Sequence, residues 1–155
     1  MALYRKTICS PIGELTLVAN DNGLEAILWE NDDSHRVHNQ NHPILSESER
    51  QLHAYFAGKL KKFTIPLDLK ATQFRLLVWS KLLGIPFGET CSYGEIAGRI
   101  GKPTASRAVG GAIGANNIPI IIPCHRVIGS KGNLTGFAGG IENKKYLLQL
   151  ENKYC

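Results

Sequence analysis

The stretch that decides the fold of the C-terminal half is SYGEIAGRIGKPTASRAVGGAIG, residues 92–114. Ser92, followed three residues later by Glu95, forms a capping box that predicts a short helix over residues 92–100. A tight turn with glycine and proline comes next, and a second helix is expected over residues 104–114. Two short helices joined by a glycine-containing turn are typical of a helix-turn-helix.

The second of these helices carries only one long polar side chain, Arg107, whereas base reading in the major groove uses several. Its three glycines each cost on the order of 1 kcal/mol of helix stability relative to alanine. The glycines would allow the helix backbone to approach a narrow minor groove closely, and Arg107 could then act as a wedge. The alternative, which the residues alone favour, is that the glycines pack against a neighbouring helix.

Alternating apolar residues near the N-terminus predict three antiparallel strands, at residues 3–9, 14–20 and 24–30. The sequence Asp21-Asn22-Gly23 predicts a hairpin turn, because such residues tolerate positive φ at its centre. The polar stretch at residues 31–45 is expected to be a loop.

Three further helices are expected, at residues 46–58 after the capping box SESE, at 72–83, and at 142–152. Residues 61–69 are compatible with one more strand. The side chains expected to face inward from the helices are Leu52, Tyr55 and Phe56; Phe74, Leu77 and Val78; and Ile96, Ala97 and Ile100. The fold class is therefore an α/β N-terminal subdomain (antiparallel sheet plus helix) at residues 1–70, followed by a mostly helical C-terminal domain with a helix-turn-helix at 71–155.

The composition is that of a globular protein, with 43% hydrophobic and 20% charged residues in 155, which excludes wholesale disorder. We expect no membrane span and, since the N-terminus lacks the apolar segment of a signal peptide, a cytoplasmic location. Residues 91–155 hold eight Lys/Arg against three Asp/Glu and so carry the whole net charge of +5. This excess suggests a polyanionic partner, and a solvated basic surface is the alternative.

The cysteines and histidines do not predict a metal site. None of the four cysteines forms a C-x-x-C pair, and their spacing is not that of a small disulfide scaffold. His35, His38 and His42 lie in a polar stretch, but no cysteine or acidic motif completes a ligand set. We expect a solvated loop there and no bound metal.

Residues 116–127, NNIPIIIPCHRV, place a Cys-His pair at the end of a rigid apolar segment. A thiol with an ordinary pKa is only a few per cent ionised at neutral pH, so a catalytic Cys124 needs a base. In an extended segment His125 would point the other way, so a relay through one water is easier than a direct bond. The alternative is a purely structural pair.

Glu151 continues the apolar stripe of the last predicted helix, because it follows Leu147 and Leu148 at helical spacing. An acid on an inward face needs a partner, and a histidine whose tautomer it would fix is the natural candidate. The alternative is a frayed last turn with Glu151 in solvent.

These residues resemble a known family. The sequence IPCHRV at residues 122–127 is similar to the active-site signature of the O6-alkylguanine-DNA alkyltransferases, also called methylated-DNA–protein-cysteine methyltransferases. The likeness extends through residues 92–97 and 107–112 upstream, and through residues 132–140 and Lys144 to Glu151 downstream. Residues 1–70 fit the family's variable N-terminal α/β subdomain only loosely.

The resemblance implies direct repair of double-stranded DNA containing O6-alkylguanine; activity on O4-alkylthymine stays open. The damaged base is flipped out of the duplex and its alkyl group moves irreversibly to cysteine. Displacement at an alkyl carbon by sulfur needs no cofactor, and each protein molecule, acting as a monomer, reacts once.

The resemblance also implies roles for individual residues. Cys124 would be the nucleophile and His125 the base through a water, with Glu151 orienting His125 and Asn116 bridging the helix-turn-helix and the active-site turn. The residues that would bind the guanine are Tyr93, Val127 and Thr135. Those that would contact DNA are Arg107, as the finger that fills the gap, and Ala105, Ser106, Gly110 and Gly111.

Three positions, Leu134, Phe137 and Asn117, depart from residues common in the family. Three other functions compete with this one. A transcription factor would need more base-reading side chains, and a cysteine hydrolase would turn over repeatedly. The lesion-binding relatives that only bind damage lack the cysteine, which is present here as Cys124.

Overall fold

A computed structural model describes residues 1–30 and 37–155 of the chain. They form two compact units, Met1–Lys70 and Ala71–Cys155. No helix within the described ranges has both the length and the hydropathy needed to cross a membrane.

The first unit contains a three-stranded antiparallel sheet in the order β1-β2-β3. Its strands are β1 (Tyr4–Ser10), β2 (Gly13–Ala19) and β3 (Leu24–Trp29), which confirms the three predicted strands. The central strand is buried along its last five residues, because it has a neighbour on each side and helix α1 (Pro43–Phe56) contacts the sheet.

The β2–β3 turn is held by a side chain, and our expectation of positive φ at its centre is wrong. None of the three turn residues has a positive φ. Instead, the fully buried Asn20 accepts hydrogen bonds from the backbone N–H groups of Asn22 (2.7 Å) and Gly23 (3.1 Å). Its amide also donates to Asp68 at 2.6 Å. An asparagine just before the turn therefore substitutes for left-handed residues within it.

Helix α1 begins earlier than predicted, because His42 caps it. The ring Nδ1 of His42 accepts the N–H of Ile44 at 3.2 Å, and Pro43 occupies the first helical position, where its missing N–H costs nothing. The expected start at residue 46 and the loop assignment of residues 43–45 are both wrong. Leu52, Tyr55 and Phe56 are buried, as predicted.

The extra strand expected at residues 61–69 is reduced to a single bridge between Leu24 and Leu67. It is closed by two hydrogen bonds, from Leu24 N to Pro66 O and from Asp68 N to Leu24 O, each 2.9 Å. Of the three histidines in the polar stretch, His35 lies outside the described residues. Among the residues that are described, no cluster of potential metal ligands occurs.

The second unit consists of four helices and a short parallel strand pair. The helices are α2 (Gln73–Leu83), α3 (Tyr93–Arg99), α4 (Ser106–Gly114) and α5 (Ile141–Tyr154). The strands are β4 (Cys91–Ser92) and β5 (Val127–Ile128). Both hydrogen bonds of the predicted capping box are present at the start of α3.

The buried face of α2 differs from the predicted one. Val78 is buried, as predicted, but Leu77 is 40% exposed and Phe74 is only half-buried, while Trp79 and Leu82 are buried. The indole N–H of Trp79 donates to the carbonyl of Ala112 in α4 at 2.8 Å. This long-range bond rotates the helix so that Trp79 is inside. Ile100, expected to be buried, is only half-buried, since it caps the end of α3.

Candidate active site

The segment before the Cys-His pair is a buried turn held by Asn116. The side-chain oxygen of Asn116 accepts the N–H of Ile118 at 3.0 Å, and its amide donates to the carbonyl of Ile122 at 2.9 Å. Between them, Ile120 has a φ of 73°, which is strained for a β-branched residue. Asn116 thus connects the end of α4 to the residues that present the cysteine.

A tight turn at Pro123 positions Cys124 at the end of the buried segment. The N–H of Cys124 donates to the carbonyl of Ile122 at 2.7 Å, around a proline with φ −80° and ψ 65°, which is an inverse γ-turn. Residues Cys124–Arg126 then form one turn of 3₁₀ helix, so our premise of an extended segment is wrong.

The thiol of Cys124 is largely buried, with 7% of the residue exposed. Burial raises its pKa, while a hydrogen bond from the Asn116 side chain and the positive charge of Lys144 act in the opposite direction. The backbone N–H groups of Cys124 and His125 also favour the thiolate. The groups around the sulfur are therefore those that stabilise a developing negative charge.

His125 and Glu151 form a buried pair. Nε2 of His125 lies 2.7 Å from Oε2 of Glu151, and the two residues are 0% and 1% exposed. The frayed-turn alternative for Glu151 is thereby excluded. Burial lowers the pKa of His125, against the opposing effect of Glu151, so the ring is neutral at neutral pH. Its other nitrogen, Nδ1, is buried and has no hydrogen-bond partner in the described part of the chain.

Arg126, which the sequence analysis did not single out, binds the same carboxylate with two donors. Its Nε and Nη2 lie 2.8 and 2.9 Å from the two oxygens of Glu151, and its Nη1 donates to the carbonyl of Ile85 at 2.6 Å. Burial alone would raise the pKa of Glu151, but hydrogen bonds from His125 and Arg126 outweigh it and lower that pKa to about 2. Glu151 is therefore a carboxylate at every physiological pH.

Lys144 is a second buried cation near Cys124. In the sequence it was noted only within the family resemblance, with no role assigned to it. It is 1% exposed, and its ammonium donates to the carbonyl of Val127 at 2.7 Å and lies 3.5 Å from that of Thr135. Lys144 precedes Leu147 by three residues, so the stripe that selected Glu151 also contained the signal for Lys144. Burial lowers its pKa, and the charge of Cys124 opposes that effect.

The residues expected to bind guanine are brought together by these contacts. The hydroxyl groups of Tyr93 and Thr135 lie 2.5 Å apart, and both residues are half-buried. Lys144 joins the backbone carbonyl of Val127 to that of Thr135. Tyr93 is the first residue of α3 and Thr135 lies between β5 and α5, so this hydroxyl pair links the helix-turn-helix to the segment before α5.

Two family models match the chain, and together they cover almost all of it. One is described as "6-O-methylguanine DNA methyltransferase, DNA binding domain" and matches residues 73–153. The other, "6-O-methylguanine DNA methyltransferase, ribonuclease-like domain", matches residues 3–69. The chain belongs to the 6-O-methylguanine DNA methyltransferase family.

Relatives of this methyltransferase family are similar over nearly the whole length. The methylated-DNA–protein-cysteine methyltransferase of Mycobacterium tuberculosis is 51% identical over 96% of this chain and 92% of its own. The protein of the same name from Methanosarcina acetivorans is 46% identical over 96% and 98%. A crystal structure of the M. tuberculosis protein in complex with DNA has a TM-score of 0.89 at 49% identity and covers 97% of this chain and 94% of that one.

Helix α4, the second helix of the helix-turn-helix, has an exposed surface formed by glycines. Arg107 and Gly111 are exposed, and a Cβ built at Gly111 or at Gly114 meets nothing within 4 Å. At Gly110 it meets only the ring of Tyr93, at an ordinary 3.9 Å. The favoured interpretation, packing against a neighbouring helix, is therefore wrong for Gly111 and Gly114, whereas Gly110 does lie against α3. The other residues expected to contact DNA, Ala105 and Ser106, are half-buried at the start of α4.

Proposed function

We propose that this chain repairs DNA by transferring the alkyl group of O6-alkylguanine to Cys124, once per molecule. The observation that carries the proposal is the buried His125–Glu151 pair beside Cys124, which leaves one ring nitrogen of His125 without a partner. Membership of the family and the names of the relatives support the choice of substrate.

His125 acts as the base. With Nε2–H donated to Glu151, Nδ1 carries the lone pair, and one water between Nδ1 and the thiol would carry the proton of Cys124 to it. Lys144 and Asn116 stabilise the thiolate that results. The sulfur then attacks the alkyl carbon, the bond between that carbon and O6 breaks, and the electron pair stays on guanine. Guanine takes up one proton, so the thiol proton ends on the released base.

Tyr93, Thr135 and Val127 would hold the flipped base. The Tyr93 hydroxyl, oriented in the free protein by Thr135, would donate to N3 of guanine and favour its departure as a neutral base. The backbone carbonyl of Val127 is fixed by Lys144. A neutral leaving group lowers the barrier to displacement, because no negative charge remains on the purine.

The duplex would lie against α4. The empty space above Gly111 lets DNA approach the helix backbone, and the exposed Arg107 would fill the gap left by the base. The net charge of +5 lies in the half of the chain that contains this helix. Affinity for duplex DNA should therefore fall with increasing salt, because phosphate contacts release counterions.

Intact-mass analysis after incubation with duplex DNA containing O6-methylguanine tests the proposal. We expect the mass to increase by one methyl group in place of one hydrogen, mapped to Cys124, with no second turnover. Cys124→Ala should abolish the transfer and retain DNA binding. The matched control is Cys91→Ala, which removes another buried cysteine and should still accept one methyl group. A methyl group on a different residue, or release of product over many cycles, would refute the proposal; the latter would favour the hydrolase.

A further inference from the structure

The short distance between Nε2 of His125 and Glu151 does not by itself determine which of the two groups is protonated. In one arrangement Nε2 of His125 holds a proton and Glu151 is ionised; the other arrangement contains one proton more, with Glu151 protonated and donating to Nε2. In the second case a neutral ring carries its own proton on Nδ1 and has no lone pair there. Only the first arrangement gives His125 a free nitrogen on the side away from Glu151.

Arg126 is the cation that distinguishes the two arrangements. It faces Glu151 with two parallel N–H donors, a geometry that suits a carboxylate and not a neutral carboxylic acid. The guanidinium is also fixed from behind, since Nη1 donates to the Ile85 carbonyl and the ring of Phe87 lies 5.8 Å from its central carbon. With only 6% of the residue exposed, Arg126 stays in place beside Glu151.

The other charged or titratable groups near the pair do not replace Arg126. The 3₁₀ turn contributes Cys124 and His125, and α5 contributes Lys144, whose ammonium donates to the Val127 carbonyl. The loop after α2 contributes one neutral donor, the N–H of Gly88, at 3.3 Å from Glu151. Loss of Arg126 would leave Glu151 buried without the cation that binds it directly, which favours its protonation.

We propose that Arg126 is a positioning residue that keeps Glu151 ionised and so holds His125 in the tautomer protonated at Nε2. The effect of Arg126 on the rate of alkyl transfer rests on the function proposed above. The effect of Arg126 on the tautomer of His125 is independent of that function, because the tautomer can be observed without substrate.

The experiment combines nitrogen NMR of the His125 ring with the pH dependence of alkyl transfer from free O6-alkylguanine base, which removes DNA binding from the measurement. The variants are Arg126→Met, which removes the charge, and Arg126→Lys, which keeps it. Lys153→Met is the matched control, because it removes an exposed positive charge from α5, the helix that carries Glu151. Thermal melts establish which variants are folded.

Wild type should show a protonated Nε2 and an unprotonated Nδ1 at neutral pH. In Arg126→Met the protonated nitrogen should shift to Nδ1 at pH 6, and the rate relative to wild type should fall on the order of 100-fold, the contribution of a general base. At pH 9, near the upper limit of raised carboxyl pKa values, the relative rate should recover. Arg126→Lys should keep the wild-type tautomer, and Lys153→Met should match wild type throughout.

An unprotonated Nε2 in the wild-type protein would overturn the proposal without any variant. So would a folded Arg126→Met with the wild-type tautomer and a relative rate that is constant from pH 6 to 9. If Arg126→Met does not fold, Arg126→Lys decides: a shifted tautomer in that variant contradicts the proposal. If wild type transfers no alkyl group, the proposed function fails, and the NMR measurement still tests Arg126.

Discussion

Replacing Gly111 with alanine is expected to stabilise the protein and, at the same time, weaken its binding to duplex DNA. Gly111 lies inside α4 with helical geometry, and the Cβ of an alanine there would touch nothing within 4 Å. Alanine is a better helix former than glycine because it has less backbone freedom to lose on folding. Nothing in the free protein therefore explains a glycine at this position.

The gain in stability follows from helix propensity alone, since no contact is made or lost. We expect about 0.5–1 kcal/mol, or a rise in Tm of about 2–4 °C per kcal/mol in a chain of this length. Gly98→Ala is the matched control. Gly98 is likewise an exposed glycine with nothing within 4 Å of an added Cβ, but it lies in α3, the first helix of the helix-turn-helix.

The loss in binding follows if DNA contacts the surface above Gly111. A methyl group forced into a close-packed contact typically costs about 1–3 kcal/mol, so affinity for a duplex should fall by about 5- to 150-fold. Fluorescence anisotropy with a labelled duplex measures this, and the rate with free O6-alkylguanine base should be unchanged. Gly98→Ala should gain similar stability and keep its affinity. A Gly111→Ala protein that is stabilised and binds duplex as tightly as wild type would refute the placement of DNA on this surface.

Three further predictions follow from other parts of the molecule. Arg107→Ala should slow repair in a duplex about tenfold and leave reaction with the free base unchanged; equal losses on both substrates would contradict its role in base flipping. Asn20→Ala should lower the free energy of unfolding by about 1–3 kcal/mol, because buried N–H groups lose their acceptor; an unchanged urea midpoint would contradict this. Glu151 has a pKa of about 2 against 4.5 for the free side chain, so the stability it contributes is present above pH 4.5 and should be lost as pH falls towards 2. Acid titration of unfolding should show this loss in wild type and not in Glu151→Gln.

Local signals in the sequence were sufficient where the structure depends on neighbouring residues. The capping box of Ser92 and Glu95 needs only four residues, and both of its bonds form as expected. The same pattern at residues 46–49 misplaced the start of α1, because a histidine at position 42 and a proline at 43 already begin the helix. A capping box predicts a start only when no earlier cap is available.

Long-range contacts account for the errors in burial and turns. Helical spacing placed Leu77 inward, but the bond from Trp79 to the Ala112 carbonyl fixes a different face of α2. The turn after Asn20 depends on an amide that is also bound to Asp68, forty-eight positions away. Neither partner can be identified from a window of sequence around the residue concerned.

In the candidate site, helical spacing identified Glu151 but not Lys144, although both lie on the same face of α5. Glu151 was found because an acid on an apolar stripe demands a partner, and His125 is that partner. Lys144 lies on the same stripe, yet a lysine there is easily explained by a long side chain that reaches solvent. In this protein it does not: with 1% of the residue exposed, its ammonium donates to backbone carbonyls beside Cys124. A lysine at an inward position of a helix therefore requires a partner for its charge, as a glutamate does.

Arg126 could not be identified from the sequence in this way. Its partners lie on α5 and in the loop after α2, and only folding brings them close to Arg126.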